Sequence, residues 1–400
     1  MKTEGERWLV RCVRFWAVVL IFSYSNHLNA QDNAARKWKD KIEFGGYVKY
    51  MNTNQFRTLD TLFTDNLIHN RLNFKFYANS NWTFSAELRN RAFYGSSVAL
   101  NPFFADQVGT DNGSVDLSWN LVATPAFLLN STLDRANIEF NKGKWNVRIG
   151  RQRINWGINL AWNPNDLFNA YNFADFDYQE RPGTDALRVQ YFNQPMSRFE
   201  AAYKPGENLD ESIIAGFYQF NKKGYDFQFL AGNYLTDIAL GTGWAGNIKR
   251  WGFKGEATYF HPKETWQDTS GVVVSSLSFD YTFDRGIYLN LAGFYNSNGA
   301  SGGDFTQVFS ANGTLSAKNL LPTQFAGFVQ VSGAFSPIFG GGLTTMYLPA
   351  IQGVFLIPTL NTSITENWDI DFVGQLLFAQ YATEFTNLNN AVFMRLRWSF

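Results

Sequence analysis

The chain has 400 residues, 34 basic and 34 acidic side chains, 18% aromatic residues and a single cysteine, Cys12. Balanced charge points away from a nucleic-acid partner, and one thiol excludes a disulfide framework, a thiolate metal site and a catalytic cysteine elsewhere in the chain. Thirty-nine phenylalanines exceed the needs of a soluble core, yet past residue 30 no stretch approaches the roughly eighteen apolar residues of a membrane helix.

Residues 1–30 read as a signal peptide. Lys2, Arg7, Arg11 and Arg14 lead into the apolar run Phe15–Phe22, too short to span a bilayer, and Leu28-Asn29-Ala30 offers a cleavage site. Its removal takes four basic and two acidic residues from a balance of 34 against 34, leaving a net charge of −2. Residues 31–400 read as one domain.

Alternating segments follow. Phe44, Val48 and Tyr50 oppose Glu43, Tyr47 and Lys49, and Leu72, Phe74 and Phe76 oppose Arg71, Asn73 and Lys75. Trp82–Arg91 comes after a tight turn at Asn79–Asn81. A period of two with one apolar and one polar face is the mark of a strand. Residues 95–131 are weakly patterned and fit a loop, with a strand near Val115–Val122. Leu133–Phe140 and Trp145–Gly150 form a hairpin, and alternation resumes at Leu187–Tyr191.

Between the last two lies the one long stretch without periodicity, rich in aromatic residues and acids. A loop of this length in a strand-rich chain is commonly functional, and its tryptophans argue for a folded segment. The following strands are Arg198–Tyr203, Ile213–Phe220, Tyr225–Tyr234, Arg250–Phe260, Val272–Thr282 and Ile287–Asn296. A polar surface loop is expected over 297–319, then Phe325–Phe335, Leu343–Tyr347, Ile351–Leu360, Trp368–Leu377 and Val392–Phe400.

This pattern predicts an all-β fold: a transmembrane antiparallel β-barrel of about sixteen strands (about 14–18) with a long inserted loop, in which only one face of each strand meets lipid. The final strand sets Val392, Met394, Leu396, Trp398 and Phe400 against Phe393, Arg395, Arg397 and Ser399. It resembles the closing strand of bacterial outer-membrane barrels, which implies that Trp398 and Phe400 are read by the barrel-assembly machinery.

The faces opposite the apolar ones carry Arg71, Lys75, Arg89, Arg135, Arg148 and Arg188 mixed with Glu87, Glu139, Glu256, Asp369 and Asp371. Fixed charges in a low-dielectric tube act strongly on a permeating solute. The expected constriction places Arg148, Arg151, Arg153 and Arg188 on the wall against Asp166, Asp175, Asp177, Glu180 and Asp185, with Arg181 beside them. The same groups also suit an ion-pair network that only pins the loop, and both roles are compatible.

Gly150-Arg151-Gln152 followed by Trp156-Gly157 resembles the GRQ element of alginate-export-type and related substrate-specific porins of Gram-negative bacteria. Trp162-Asn163-Pro164-Asn165-Asp166 and Arg181-Pro182-Gly183 resemble segments of other outer-membrane porin families. The resemblance implies a passive channel with Arg151 and Arg153 near the pore.

Enzyme chemistry is not expected, nor a cofactor or metal. Beyond residue 30 only His69 and His261 remain, and no serine has a histidine placed to activate it. Asp175 and Asp177 have a spacing calcium could use without the surrounding ligands. The function expected is passive diffusion of small hydrophilic solutes through an outer-membrane channel narrowed by residues 155–186. The alternative is a non-transport barrel for assembly, adhesion or secretion, acting through its long extracellular loops.

Overall fold

The computed structural model describes residues 38–57, 62–111, 113–171, 173, 175, 177, 180–264, 266–267, 270–310, 315–381 and 384–400; the leader expected at 1–30 lies outside them. The chain divides into Met1–Ile42 and Glu43–Phe400. In the first unit the described residues make one turn, closed by the Lys41 N–H donating to the Trp38 carbonyl at 3.1 Å.

The second unit is a sheet of nineteen strands among the described residues: β1 (Ile42–Phe56), β2 (Leu62–Tyr77), β3 (Trp82–Gly95), β4 (Ser118–Thr124), β5 (Phe127–Lys142), β6 (Trp145–Gln152), β7 (Thr184–Gln194), β8 (Ser197–Lys204), β9 (Ile213–Lys222), β10 (Tyr225–Tyr234), β11 (Asp237–Ile248), β12 (Trp251–Pro262), β13 (Val272–Thr282), β14 (Tyr288–Asn296), β15 (Phe325–Ala334), β16 (Phe339–Leu348), β17 (Gly353–Thr365), β18 (Trp368–Tyr381) and β19 (Glu384–Ser399). Eighteen of them pair antiparallel in sequence order and close through β1 and β19, from Tyr47 opposite Ser399 to Phe56 opposite Asn390. β3 pairs directly with β5, and β4 stays outside the ring. The class is as expected, at the upper end of the anticipated strand number.

Alternation builds this wall. In β19 the apolar Val392, Met394, Leu396 and Trp398 face outward. Arg395 and Arg397 face inward and meet their register partners Asp371 and Asp369 on β18, both at 2.9 Å. The strand that the sequence pattern misses is β11, DIALGTGWAGNI. Past Asp237 its inward positions are Ala239, Gly241 and Gly243, which have no side-chain contrast to reveal a face. A Cβ at Gly241 would sit 2.7 Å from the Asn165 Oδ1, and one at Gly243 would sit 2.9 Å from the Ile158 Cδ1. The strand is small because the inserted loop occupies that space.

One rim of the barrel carries short hairpins. Lys223 and Gly224 both have positive φ (53° and 79°), the two-residue turn whose twist matches paired strands. The other rim carries the long connections. Residues 95–131 hold two short helices, α1 (Ser96–Leu100) and α2 (Phe104–Gly109), then β4 and the start of β5. The 297–319 stretch, expected as a surface loop, carries helix α3 (Phe305–Ser310) and buries Val308 and Ala317. The Tyr234 hydroxyl accepts the Ala317 N–H at 3.1 Å, and Lys318 pairs with Asp237 at 2.8 Å. The barrel interior has a dry side, where residues 154–168 and the buried Val308, Ala317 and Leu320 pack against β7–β18, and a charged side along β1–β6 and β19.

Candidate functional site: the strap across the lumen

The site begins where β6 ends. Gly150 has φ 109°, and a Cβ there would lie 2.2 Å from the Ala136 carbonyl. Only glycine fits, and past Gln152 the chain leaves the wall for the lumen. The gap left above β6 is filled by residues 113–117 and by β4 on the edge of β5. Arg151 holds this seam. It falls on the opposite face from Arg148 and Gln152, is 4% exposed, and donates to Asp111 (2.5 Å), to both oxygens of Asp185 (2.8 Å each) and to the Val115 carbonyl (2.6 Å). The expectation that Arg151 faces the constriction is corrected: it and Asp185 staple the wall, because the strand period turns residue 151 away from the face of residue 148.

The first half of the strap, residues 153–171, packs on the dry side. The Trp156 indole N–H donates to Glu200 at 2.8 Å, and its ring stacks on Phe217 at 5.1 Å. Trp162 lies against Phe294 and Phe328, at 5.3 and 5.9 Å. Glu256 on β12, 1% exposed, accepts three backbone N–H groups: Ile158 and Asn159 at 3.0 Å and Asn165 at 3.1 Å. Asn159 and Asn165 bond onward to Ser276, Ser278, Thr242 and Thr258. Magnitudes rank these contacts. A single hydrogen bond contributes only about 1 kcal/mol net. Burying each tryptophan contributes roughly 4–6 kcal/mol, so aromatic packing carries the energy and the hydrogen bonds set the register.

The second half crosses to the charged side. Asp177 receives Lys49 at 2.6 Å, with His69 at 3.7 Å and Arg395 at 3.5 Å. Burial raises its carboxyl, but the hydrogen bonds from His69 and Lys49 and the Lys49 charge outweigh it and hold the group below the usual carboxylate range. The Tyr47 hydroxyl donates to Glu180 at 3.0 Å, and Arg135 donates to the carbonyls of Glu180 and Arg181. Arg181, at φ 58°, lays its guanidinium over Tyr171 at 3.2 Å from the ring centre. Asp175 is exposed.

Between strap and wall, on the β2–β6 side, lies a cavity of about 430 Å³ lined among others by Lys75, Glu87, Arg135, Glu139, Arg148 and Arg153. Arg148 pairs with Glu139 and stands in register with Arg188 on β7. Among the described residues, no carboxylate lies within 4.0 Å of Arg153 or Arg188. Asp166 is 1% exposed and neither oxygen has a hydrogen-bond partner among the described residues. Burial pushes its carboxyl up to about 8, with Arg153 opposing. No group of three or more metal-ligating side chains occurs among the described residues, and Asp177 is engaged by Lys49.

The structure thus gathers Arg148, Arg153 and Arg188 on the inner face, sends Asp177, Glu180 and Arg181 to the β1–β5 wall, and buries Asp166 beneath the strap. Glu256 was legible as inward-facing, but no local pattern announces three loop amides almost a hundred residues away. Lys49 and Tyr47 were missed as anchors, since their alternation marks only a polar face. Trp398 faces outward 6.2 Å from Trp368, and the terminal Phe400 exchanges two backbone hydrogen bonds with Gly46.

No family model and no curated relative matches the chain. Its shape does match solved structures. OprD of Pseudomonas aeruginosa superposes with a TM-score of 0.57 at 8% identity, over 90% of this chain and 95% of that one. OpdK of the same organism, solved with vanillate, gives 0.55 at 8% identity over 90% and 98%. OccAB1 of Acinetobacter baumannii gives 0.52 at 8% identity over 90% and 96%. Such neighbours are substrate-specific outer-membrane porins of Gram-negative bacteria, and this chain shares their fold.

Proposed function

We propose that the chain is an outer-membrane channel for passive diffusion of small hydrophilic solutes, narrowed by the strap at residues 153–183. The observation that carries the reading is the asymmetric lumen: aromatic packing occupies one side, and fixed charge lines the other. A structural barrel with no cargo has no need of half-buried arginines that, among the described residues, have no carboxylate within 4.0 Å. Arg153 and Arg188 favour an anion passing beside them. The vanillate of the OpdK structure is such a solute, an aromatic carboxylate, and small organic anions are the class proposed here. Residues 1–30 would direct export, and the Trp398–Phe400 end would be read by the barrel-assembly machinery during insertion.

The alternative, a barrel acting through projecting loops, is less favoured because the 297–324 segment buries Val308, Ala317 and Leu320 inside.

The test is single-channel recording of the refolded protein in a planar bilayer with a salt gradient. Open-channel steps with anion preference are expected. An inserted barrel that passes no current sinks the proposal.

A further inference from the structure

The outward face of β2, β3 and β5 carries a row of hydrogen-bonded polar side chains within apolar surface. Asn70, Asn90 and Ser131 are register neighbours across the three strands, and alternation with the inward His69, Arg71 and Arg89 turns them outward. The Asn90 amide donates to the Asn70 Oδ1 at 3.1 Å, and the Ser131 hydroxyl donates to the Asn90 Oδ1 at 2.7 Å. The Asn70 amide donates to the Tyr47 carbonyl at 3.1 Å.

Apolar side chains lie on both sides of this row. Ile68 and Phe74, on β2 above and below it, are 41% and 39% exposed, and Ala92 and Leu88 flank it on β3. Tilted strands climb roughly 2.5 Å per residue along the barrel axis, so seven or eight residues above Tyr77 and Trp82 is about 20 Å within a band about 25 Å tall. This places the amides inside the hydrocarbon layer, given the membrane reading on which the inference rests. Just below them is an outward groove of about 420 Å³ with Ala86, Ala136 and Gly150 on its floor and Phe74, Phe84 and Ile138 at its sides.

Lipid tails cannot bond an amide, and in hydrocarbon a polar group without a partner is costly. In the bonds above each asparagine uses one of its two N–H groups and one of its two acceptor lone pairs. The remainder is an equal set of donors and acceptors, and such an array is complementary to itself. We propose that this face docks a second copy of the chain, with the Asn70–Asn90 rows bonding across the interface and apolar side chains entering the facing groove.

The only cysteine, Cys12, lies in the leader, so a single introduced thiol reports cleanly. Ala92→Cys, two residues along the same outward face of β3 and outside the amide row, expressed as the full chain in a Gram-negative host and treated in its outer membrane with a short bis-maleimide, should give a homodimer. Leu291→Cys, on β14 at the far side of the barrel and 37% exposed, should remain monomeric. In lipid nanodiscs, Asn70→Leu/Asn90→Leu should lower the dimer-to-monomer ratio by about tenfold or more in native mass spectrometry. Its retained heat-modifiable gel mobility would show that the barrel still folds. An Ala92→Cys protein that a mono-maleimide labels but that stays monomeric overturns the proposal, as does a cross-link to a different protein. Monomers that conduct would overturn it while leaving the channel standing; silent dimers would do the reverse.

Discussion

Glu256 and Asn165 meet across the lumen at 3.1 Å, the carboxylate on β12 accepting the backbone N–H of a residue in the strap. The same carboxylate takes the N–H groups of Ile158 and Asn159. One wall side chain thus fixes two separate turns of the strap.

Replacing Glu256 by alanine leaves three N–H groups buried and unpaired, a cost of about 3–5 kcal/mol spread over the strap. Trp156 and Trp162 remain to hold it, so the barrel should fold. Single-channel recordings should show larger, noisier steps, with Glu256→Gln intermediate because it keeps an acceptor. Unchanged conductance would mean that the strap does not set the aperture.

Arg153→Glu and Arg188→Glu should each move the reversal potential in a salt gradient toward cation preference. The double change should exceed either one, because both groups act on the same ion and neither has a carboxylate within 4.0 Å among the described residues. Screening makes the effect largest at low salt, where the Debye length is roughly 30 Å at 0.01 M.

Arg151→Ala should separate structure from selectivity. It strips Asp111 and Asp185 of their buried partner and should cost about 3–5 kcal/mol, read as an earlier urea midpoint for unfolding from lipid. The reversal potential of the folded fraction should stay at the wild-type value. A selectivity change as large as that of Arg153→Glu would return Arg151 to the passage.

Asp166 gives a pH dependence. Its carboxyl sits at about 8 in the folded chain because of burial, against roughly 3.9 in an unfolded one. Between those values the folded state binds more protons, so stability should fall as pH rises from about 4 to about 8. Asp166→Asn should flatten this slope in thermal unfolding at pH 5, 7 and 9. A slope that persists in the variant assigns it to another group.

Most of the wall was legible in the residues themselves. A period of two in β2 or β19 fixes which side chains face out, and the Lys223-Gly224 type of turn fixes where the chain reverses. Both are local, needing only neighbours in sequence. β11 escaped because its inward residues past Asp237 are small, a consequence of a loop that packs there from 76 to 85 residues away.

By itself the sequence determined a strand-built ring with an apolar exterior, a charged interior and one aperiodic stretch able to fold into it. Only the tertiary structure decided which charges meet. Arg151 and Arg148 stand three residues apart with the same chemistry, yet one staples the wall to Asp111 and the other lines the cavity. Likewise Asp177 is bound to Lys49, whereas Asp166 is buried without a hydrogen-bond partner among the described residues. The reason is that alternation assigns a face, while an ion pair depends on distances across the lumen, set by where the strap crosses and not by any spacing along the chain.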